Sequence, residues 1–425
     1  MEGGAADFHP FMFKINLTTF FLGETMGWNQ LCAEAVHYDS SRNMTLPFKL
    51  SDIYDSNLNL LIGSGASSGL FPTLALNVRD ETGNSMTVES LATKLSKGRE
   101  DPSYTALFMH YYKECIEPVL IADYAFTAQD QKKKMVMDNY VALIRTILSV
   151  LARKKSGDKR ACNIFTTNYD GCIAHAAEEL LRSGSTQFFM NDGSLGFKRR
   201  YLDARNFTTR LTQTGVFMQH RHDLPQVNLI QLHGSTYWHK DEQRIRIDYV
   251  LGNEDRLVKN VPFEKISAFS QALIDNNAKV ADLPKVELST DEIASFWTAY
   301  DRLPIVNPTK WKFHETVFEE HYYQMLRYLS YELERSNTTL ITFGFSFADE
   351  HIRNLIRRSL SNPSLQIFIC CFNASGRAAM EKEFATHSNV KAVSLDDNLD
   401  FTAFNEKVFT IKPVTLAPLA KESEK

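Results

Sequence analysis

Three side chains suited to proton transfer and positioning stand directly after apolar runs. Asn168 and Asp170 lie in "TTNYD", and His233 lies in "QLHGS". An imidazole that titrates near neutrality can take a proton and return it. An amide can hold a water or a sugar hydroxyl, and a carboxyl beside it can stabilise positive charge developing on a reacting ring. Each has a plainer reading. Asp170 can cap a helix beginning near Gly171, and His233 can be a turn histidine. Asn168 is harder to explain away, because a cap needs one such residue and this turn has two.

Other polar turns follow the remaining apolar runs. "GSGASSG" places Gly63 and Gly65 where a backbone can approach a pyrophosphate, with the Ser64, Ser67 and Ser68 hydroxyls beside them. The third glycine, Gly69, falls one position late for the usual G-x-G-x-x-G, so a tight strand-to-helix turn is the competing reading. In "GFSFADEH", Gly344 and Ser346 can contact phosphate or ribose, while Asp349 reads as an N-cap. Arg353, Arg357 and Arg358 read as a solvated helix face. In "CFNAS", Asn373 can bond a ribose hydroxyl or cap the next helix. The H-x-H pair His220 and His222 lacks a third ligand and reads as a solvated loop, so no metal site is expected.

Placing these turns on one rim requires a particular set of elements. "LNLLIG", "CNIFTTN", "VNLIQLHG", "TLITFGFS" and "LQIFICCFN" are short apolar runs of the kind buried parallel strands show, and "VKAVSL" is a weaker sixth. Between several of them lie segments of helical spacing: Val141, Ile144, Leu148 and Leu151; Phe318, Tyr322, Met325, Leu329 and Leu333; Ile352, Leu355, Ile356 and Leu360. The alternation predicts an α/β fold, a Rossmann-like, mostly parallel sheet with helices on both faces. Such sheets bind ligands beyond the carboxyl ends of their strands. Two stretches are long for plain crossovers: about 80–155, largely helical, and about 185–310, where "YWHKDEQRIRIDYV" alternates like a hairpin. Both are expected to form an insert or lid. Residues 1–50 read as a separate segment suited to an oligomer contact, 51–410 as the main domain and 411–425 as a tail.

The whole chain sets wider bounds. Its 425 residues can bury a large core. With 47 basic against 51 acidic side chains, a formal net of −4, direct coating of nucleic acid is not expected. The six cysteines, Cys32, Cys115, Cys162, Cys172, Cys370 and Cys371, make no C-x-x-C pair and suit a reducing cytoplasm. "MEGGAADFHP" lacks the basic start and apolar stretch of a signal peptide, and no apolar run approaches the ~20 residues that span a bilayer.

Taken together, these turns resemble the sirtuin-like family. Its glycine-rich G-x-G-x-S turn matches Gly63, Gly65 and Ser67. Its T-x-N-x-D turn matches Thr166, Asn168 and Asp170. Its histidine before glycine matches His233 and Gly234, its G-x-S turn matches Gly344 and Ser346, and its later asparagine matches Asn373. The resemblance covers about 55–400, with the motifs in family order. It implies an NAD site in which His233 accepts a proton near the nicotinamide ribose, Asn168 places a water or the ribose, and Asp170 supports it. Protein-deacylating sirtuins carry two C-x-x-C pairs in a zinc module and continue their glycine turn into P-D-F-R. This chain has neither feature and reads "SGLFPTLALNVRD" instead. The form "GFSFADEHI" is similar to bacterial sirtuin-like effectors of anti-phage defence, and to the partner of a HerA-type hexameric ATPase in such systems. The resemblance therefore implies a regulated NAD glycohydrolase with NAD as substrate, a homo-oligomer, and an ATPase partner. An NAD-dependent deacylase and a non-catalytic NAD or ADP-ribose sensor are the competing readings.

Overall fold

Five runs with nearly every residue buried become strands, because a parallel sheet covered on both faces has no use for polar alternation, and the less buried Val390–Val393 becomes a sixth. The structure is a computed structural model, and it describes residues 49–95, 98–124, 130–155, 159–184, 186–214, 221–250, 258–259, 261–307 and 316–411. All but the last two residues of the expected oligomer segment at 1–50, almost all of the tail at 411–425, and the H-x-H side chains lie outside these residues.

In chain order the strands of the two larger sheets are β1 (Asn57–Ile62), β2 (Ala161–Thr166), β3 (Phe189–Asn191), β4 (Ser194–Leu195), β5 (Arg200–Leu202), β6 (Gln226–Gln231), β7 (Trp238–Asp241), β8 (Arg244–Ile247), β9 (Thr338–Phe343), β10 (Leu365–Cys370) and β11 (Val390–Val393). The main sheet has seven strands, all parallel, in the order β11-β10-β9-β1-β2-β6-β3. This is the expected α/β, Rossmann-like sheet. The short edge strand β3 is additional to the six runs legible in the sequence. The chain proceeds to one side of β1 through β2 and later returns to its other side through β9. The sheet's topological switch therefore lies between β1 and β9.

Helices cover both faces. The principal ones are α1 (Val88–Lys94), α2 (Pro102–Tyr111), α3 (Gln131–Ala152), α4 (Cys172–Ser183), α5 (Phe263–Ile274), α6 (Thr290–Tyr300), α7 (Thr316–Glu334), α8 (Glu350–Ser359) and α9 (Ala374–Glu383). Tyr140, Ile144, Ile147 and Leu151 of α3 join Ile173 and Leu180 of α4 in the core on one face. Met325, Leu329 and Leu333 of α7 join Ile352 and Ile356 of α8 on the other. By length and composition α3 alone among the described helices could cross a membrane, yet most of its apolar window is buried in this core.

Register is fixed by polar side chains in the middle of the sheet. Asn59, Asn163 and Asn228 stand opposite one another on β1, β2 and β6. Asn163 Nδ2 donates to Asn59 Oδ1 at 2.7 Å, and Asn228 Nδ2 donates to Asn163 Oδ1 at 2.7 Å. Gln226 Nε2 donates to Asn228 Oδ1 at 2.6 Å. A slip of one residue would bury these amides without partners, so the ladder specifies the pairing.

The two long inserts meet. Leu107 and Phe108 of α2, from the first, share a core with Phe269 of α5 and Phe296, Trp297 and Tyr300 of α6, from the second. Trp297 Nε1 donates to Thr105 Oγ1 at 2.9 Å, and Arg99 pairs with both oxygens of Asp301 at 2.6 and 2.8 Å. The result is a single helical lobe made from two distant stretches of chain. The expected hairpin is β7–β8, and it belongs to a separate antiparallel sheet, β7-β8-β5-β4.

Candidate functional site

The turns after β1 and β9 press together at the switch point. Gly65 N–H donates to Gly344 O at 3.0 Å, and Gly63 N–H donates to Phe343 O at 3.0 Å. A Cβ on Gly63 would lie 2.4 Å from Gly344 O, and one on Gly65 would lie 2.8 Å from Gly344 Cα. Glycine is thus demanded here by the approach of two backbones, and the Gly63 and Gly65 amides are committed to protein carbonyls. Gly344 itself has φ +65°, which suits glycine.

A cavity of about 160 Å³ opens beside this junction. It is lined by Ser64, Ser67, Asn168, Asp170, His233 and Asp349 from the sheet rim, with Glu89, Tyr111 and Cys115 from the helical lobe. Distant turns therefore bring the three residues singled out for chemistry onto one small space.

Ser67 organises the floor. Its Oγ donates to Asp170 Oδ2 at 2.7 Å, accepts from Asn168 Nδ2 at 3.2 Å and lies 2.8 Å from the buried Tyr140 hydroxyl. The hydroxyl predicted to face a ligand is thus engaged within the protein. Asp170 Oδ1 accepts from Cys172 N–H at 3.1 Å, at the start of α4. Asp170, one residue before the N-cap Gly171, thus serves the start of α4 with one oxygen and braces Ser67 with the other. Burial pushes its carboxyl above the usual aspartate range, opposed by the Ser67 and Cys172 hydrogen bonds.

Asn168 is held through its Nδ2, which leaves Oδ1 buried with no protein donor, on a residue only 7 % exposed. An unpaired buried carbonyl costs about 1–3 kcal/mol. The residue lines the cavity, while Oδ1 itself is shut off from solvent in this structure.

His233 follows β6 and is clamped by its neighbours. Its carbonyl accepts from Val306 N–H at 2.9 Å, and Gly234, at φ +80°, packs so closely that a Cβ would lie 2.0 Å from Pro304 O. The ring Nε2 lies 3.0 Å from Asp349 Oδ2. Asp349 Oδ1 meanwhile accepts from the His351 and Ile352 amides at the head of α8. The cap predicted for Asp349 is present. Its second role, beside the histidine, went unread because the cap already explained the residue. A carboxylate at a strand end was the available signal.

The wall supplied by the lobe is chemically quiet. Tyr111 donates to Tyr169 at 3.0 Å, and Tyr169 to Val306 O at 3.1 Å. Burial pushes the Tyr169 phenol up to about 12. It does the same to the Cys115 thiol, so this cysteine is a poor nucleophile near neutral pH. The cavity carries the carboxyls of Glu89, Asp170 and Asp349, and among its described lining residues there is no Lys or Arg.

A larger cavity of about 670 Å³ lies on the other side of the Gly344–Ser346 turn, which lines both. Gly65, Phe345, Cys371, Met380 and Phe401 give it an apolar wall. Ser346 Oγ accepts from Ala348 N–H at 3.4 Å within the turn. Asn373 Oδ1 accepts from Gly376 N–H at 2.9 Å and caps α9, as its plainer reading required. Gly376, rather than Asn373, faces the cavity.

No protein-family model matches the chain, and no curated protein matches it.

Proposed function

We propose that the chain is an NAD glycohydrolase that cleaves the bond between ribose C1′ and the nicotinamide nitrogen. The observation that carries this reading is that Asn168, with its buried and unpaired Oδ1, lines one cavity with a carboxylate-bound histidine, among described lining residues that include no Lys or Arg. The nicotinamide ring of NAD is positively charged, and a wall of carboxyls without lysine or arginine favours it. The adjoining apolar cavity suits the adenosine half. As the C1′–N bond breaks, its electron pair passes to the ring nitrogen and neutralises the leaving group, while positive charge builds on the ribose. Asn168 Oδ1 accepts from a ribose hydroxyl or from the attacking water and so fixes its place. Asp170, behind Ser67, adds negative potential. Water oxygen bonds to C1′, and the proton it releases passes to His233, a step typically worth about 10²–10⁴ in rate. The same proposal places the protein, by its "GFSFADEHI" turn, among regulated anti-phage effectors that act as homo-oligomers with a HerA-type ATPase.

The test is to incubate purified protein with NAD, alone and with the product of its genomic neighbour, and to resolve the products by chromatography. Nicotinamide and ADP-ribose in equal amounts are expected, and His233→Ala should remove nearly all turnover while its circular dichroism spectrum stays unchanged. Intact NAD in both mixtures, or normal turnover in the variant, overturns the proposal.

A further inference from the structure

We infer that Asp349 is a positioning residue that fixes the tautomer and orientation of His233. The inference rests on the proposed reaction for its kinetic part and on geometry alone for its structural part. A neutral imidazole has one N–H and one lone pair, and whatever binds one nitrogen decides what the other can do. With Nε2 at 3.0 Å from Asp349 Oδ2, the carboxylate accepts the Nε2 proton and leaves the Nδ1 lone pair as the base. The pair is well shielded, with side chains 15 % and 9 % exposed.

The turn that delivers Asp349 is built under strain. Phe347, two residues before it, has φ +59°, a conformation that costs a bulky residue about 1–3 kcal/mol. It is held there from several sides. Its ring is 2 % exposed and packs on Phe345 and Phe384 at 4.9 and 5.7 Å, and its carbonyl accepts from Arg353 Nη1 at 3.1 Å. Asp349 is then locked by two amides at the head of α8. One side chain thus ties the rim histidine to a rigid helix, a stronger arrangement than a cap alone needs.

Asp349→Asn separates the two roles. Asparagine caps a helix about as well as aspartate, so Oδ1 can keep both amides. Its other atom becomes an NH₂, which donates to Nε2 and forces the ring proton onto Nδ1. Turnover should fall by about 10²–10⁴-fold at a nearly unchanged KM and unfolding midpoint, since a carboxylate in this role is worth up to about 10⁴-fold. The ¹⁵N shifts of His233 should report an Nε2–H ring in the parent protein and an Nδ1–H ring in the variant. Asp349→Ser, which keeps a cap but reaches less far, should lose turnover similarly. Turnover within about threefold of the parent in Asp349→Asn, or an unchanged tautomer, overturns the inference. If the parent protein releases no nicotinamide, the proposed reaction fails, and the ¹⁵N shifts still decide the pairing.

Discussion

Asn163 and Asn168 belong to the same strand and the turn that follows it, yet they have opposite fates. Asn163 sits in the middle of the sheet with its amide bonded on both sides, to Asn59 and Asn228. Asn168 sits at the rim with one atom bonded to Ser67 and the other unmatched. Both are buried, at 3 % and 7 % exposure. Residue type and burial do not separate them. Accounting for each donor and acceptor does.

Variants at the two positions should break in different ways. Asn168→Ala removes the unpaired acceptor together with its bond to Ser67. NAD turnover should fall by about 10²–10³-fold, the usual effect of deleting one aligned polar group at a reacting centre. Urea unfolding should place its stability within about 1 kcal/mol of the parent, or above it. A large loss of stability here would merge the two classes and undo the contrast. Asn163→Ala should do the reverse. It strips Asn59 Oδ1 of its donor and leaves Asn228 Nδ2 only the long 3.5 Å contact to Phe207 O. The expected cost is about 2–5 kcal/mol, read from the same unfolding curves.

The smallest effect sharpens the comparison within the rim. Burial raises the Asp170 carboxyl above its ordinary 3.8, so ionising it costs more in the folded chain than in the unfolded one. Below 3.8 both states hold the proton and there is no penalty. As pH rises past 3.8, the unfolded chain ionises first, and the native state loses stability until the raised native value is passed. Asp170→Asn escapes this loss. Its thermal midpoint relative to the parent should therefore climb between pH 4 and pH 7, and a flat difference would show that Asp170 ionises in the fold as freely as in water.

The sheet could be read from the chain because its central strands are buried on both faces, which leaves unbroken apolar runs. β3 escaped notice because Phe189–Asn191 is three residues long and has no such run. At the site, Asn168, Asp170 and His233 were legible because strand ends in a parallel sheet share one rim. Glu89, Tyr111 and Cys115 were not, since tertiary packing of the helical lobe brings them there and no local pattern records it. The glycines carry a structural reason beside the one read from the sequence. Gly63 and Gly65 admit the neighbouring turn, and their amides serve that turn's carbonyls. Asp349 was seen and under-read, because local cap chemistry gave it a complete explanation before its distant partner was known.

The central position of β1 also has a consequence for how the protein is made. One flank of β1 is filled by β9, and only the turn beyond β9 delivers Gly344 and Asp349 to the rim. As the chain leaves the ribosome, the segments bearing Asn168 and His233 emerge early, and the one that aligns the imidazole emerges late. A nascent polypeptide halted before residue 338 would hold most of the reactive groups without the piece that arranges them. Under the proposed reaction, that order of assembly would keep unfinished copies from consuming NAD.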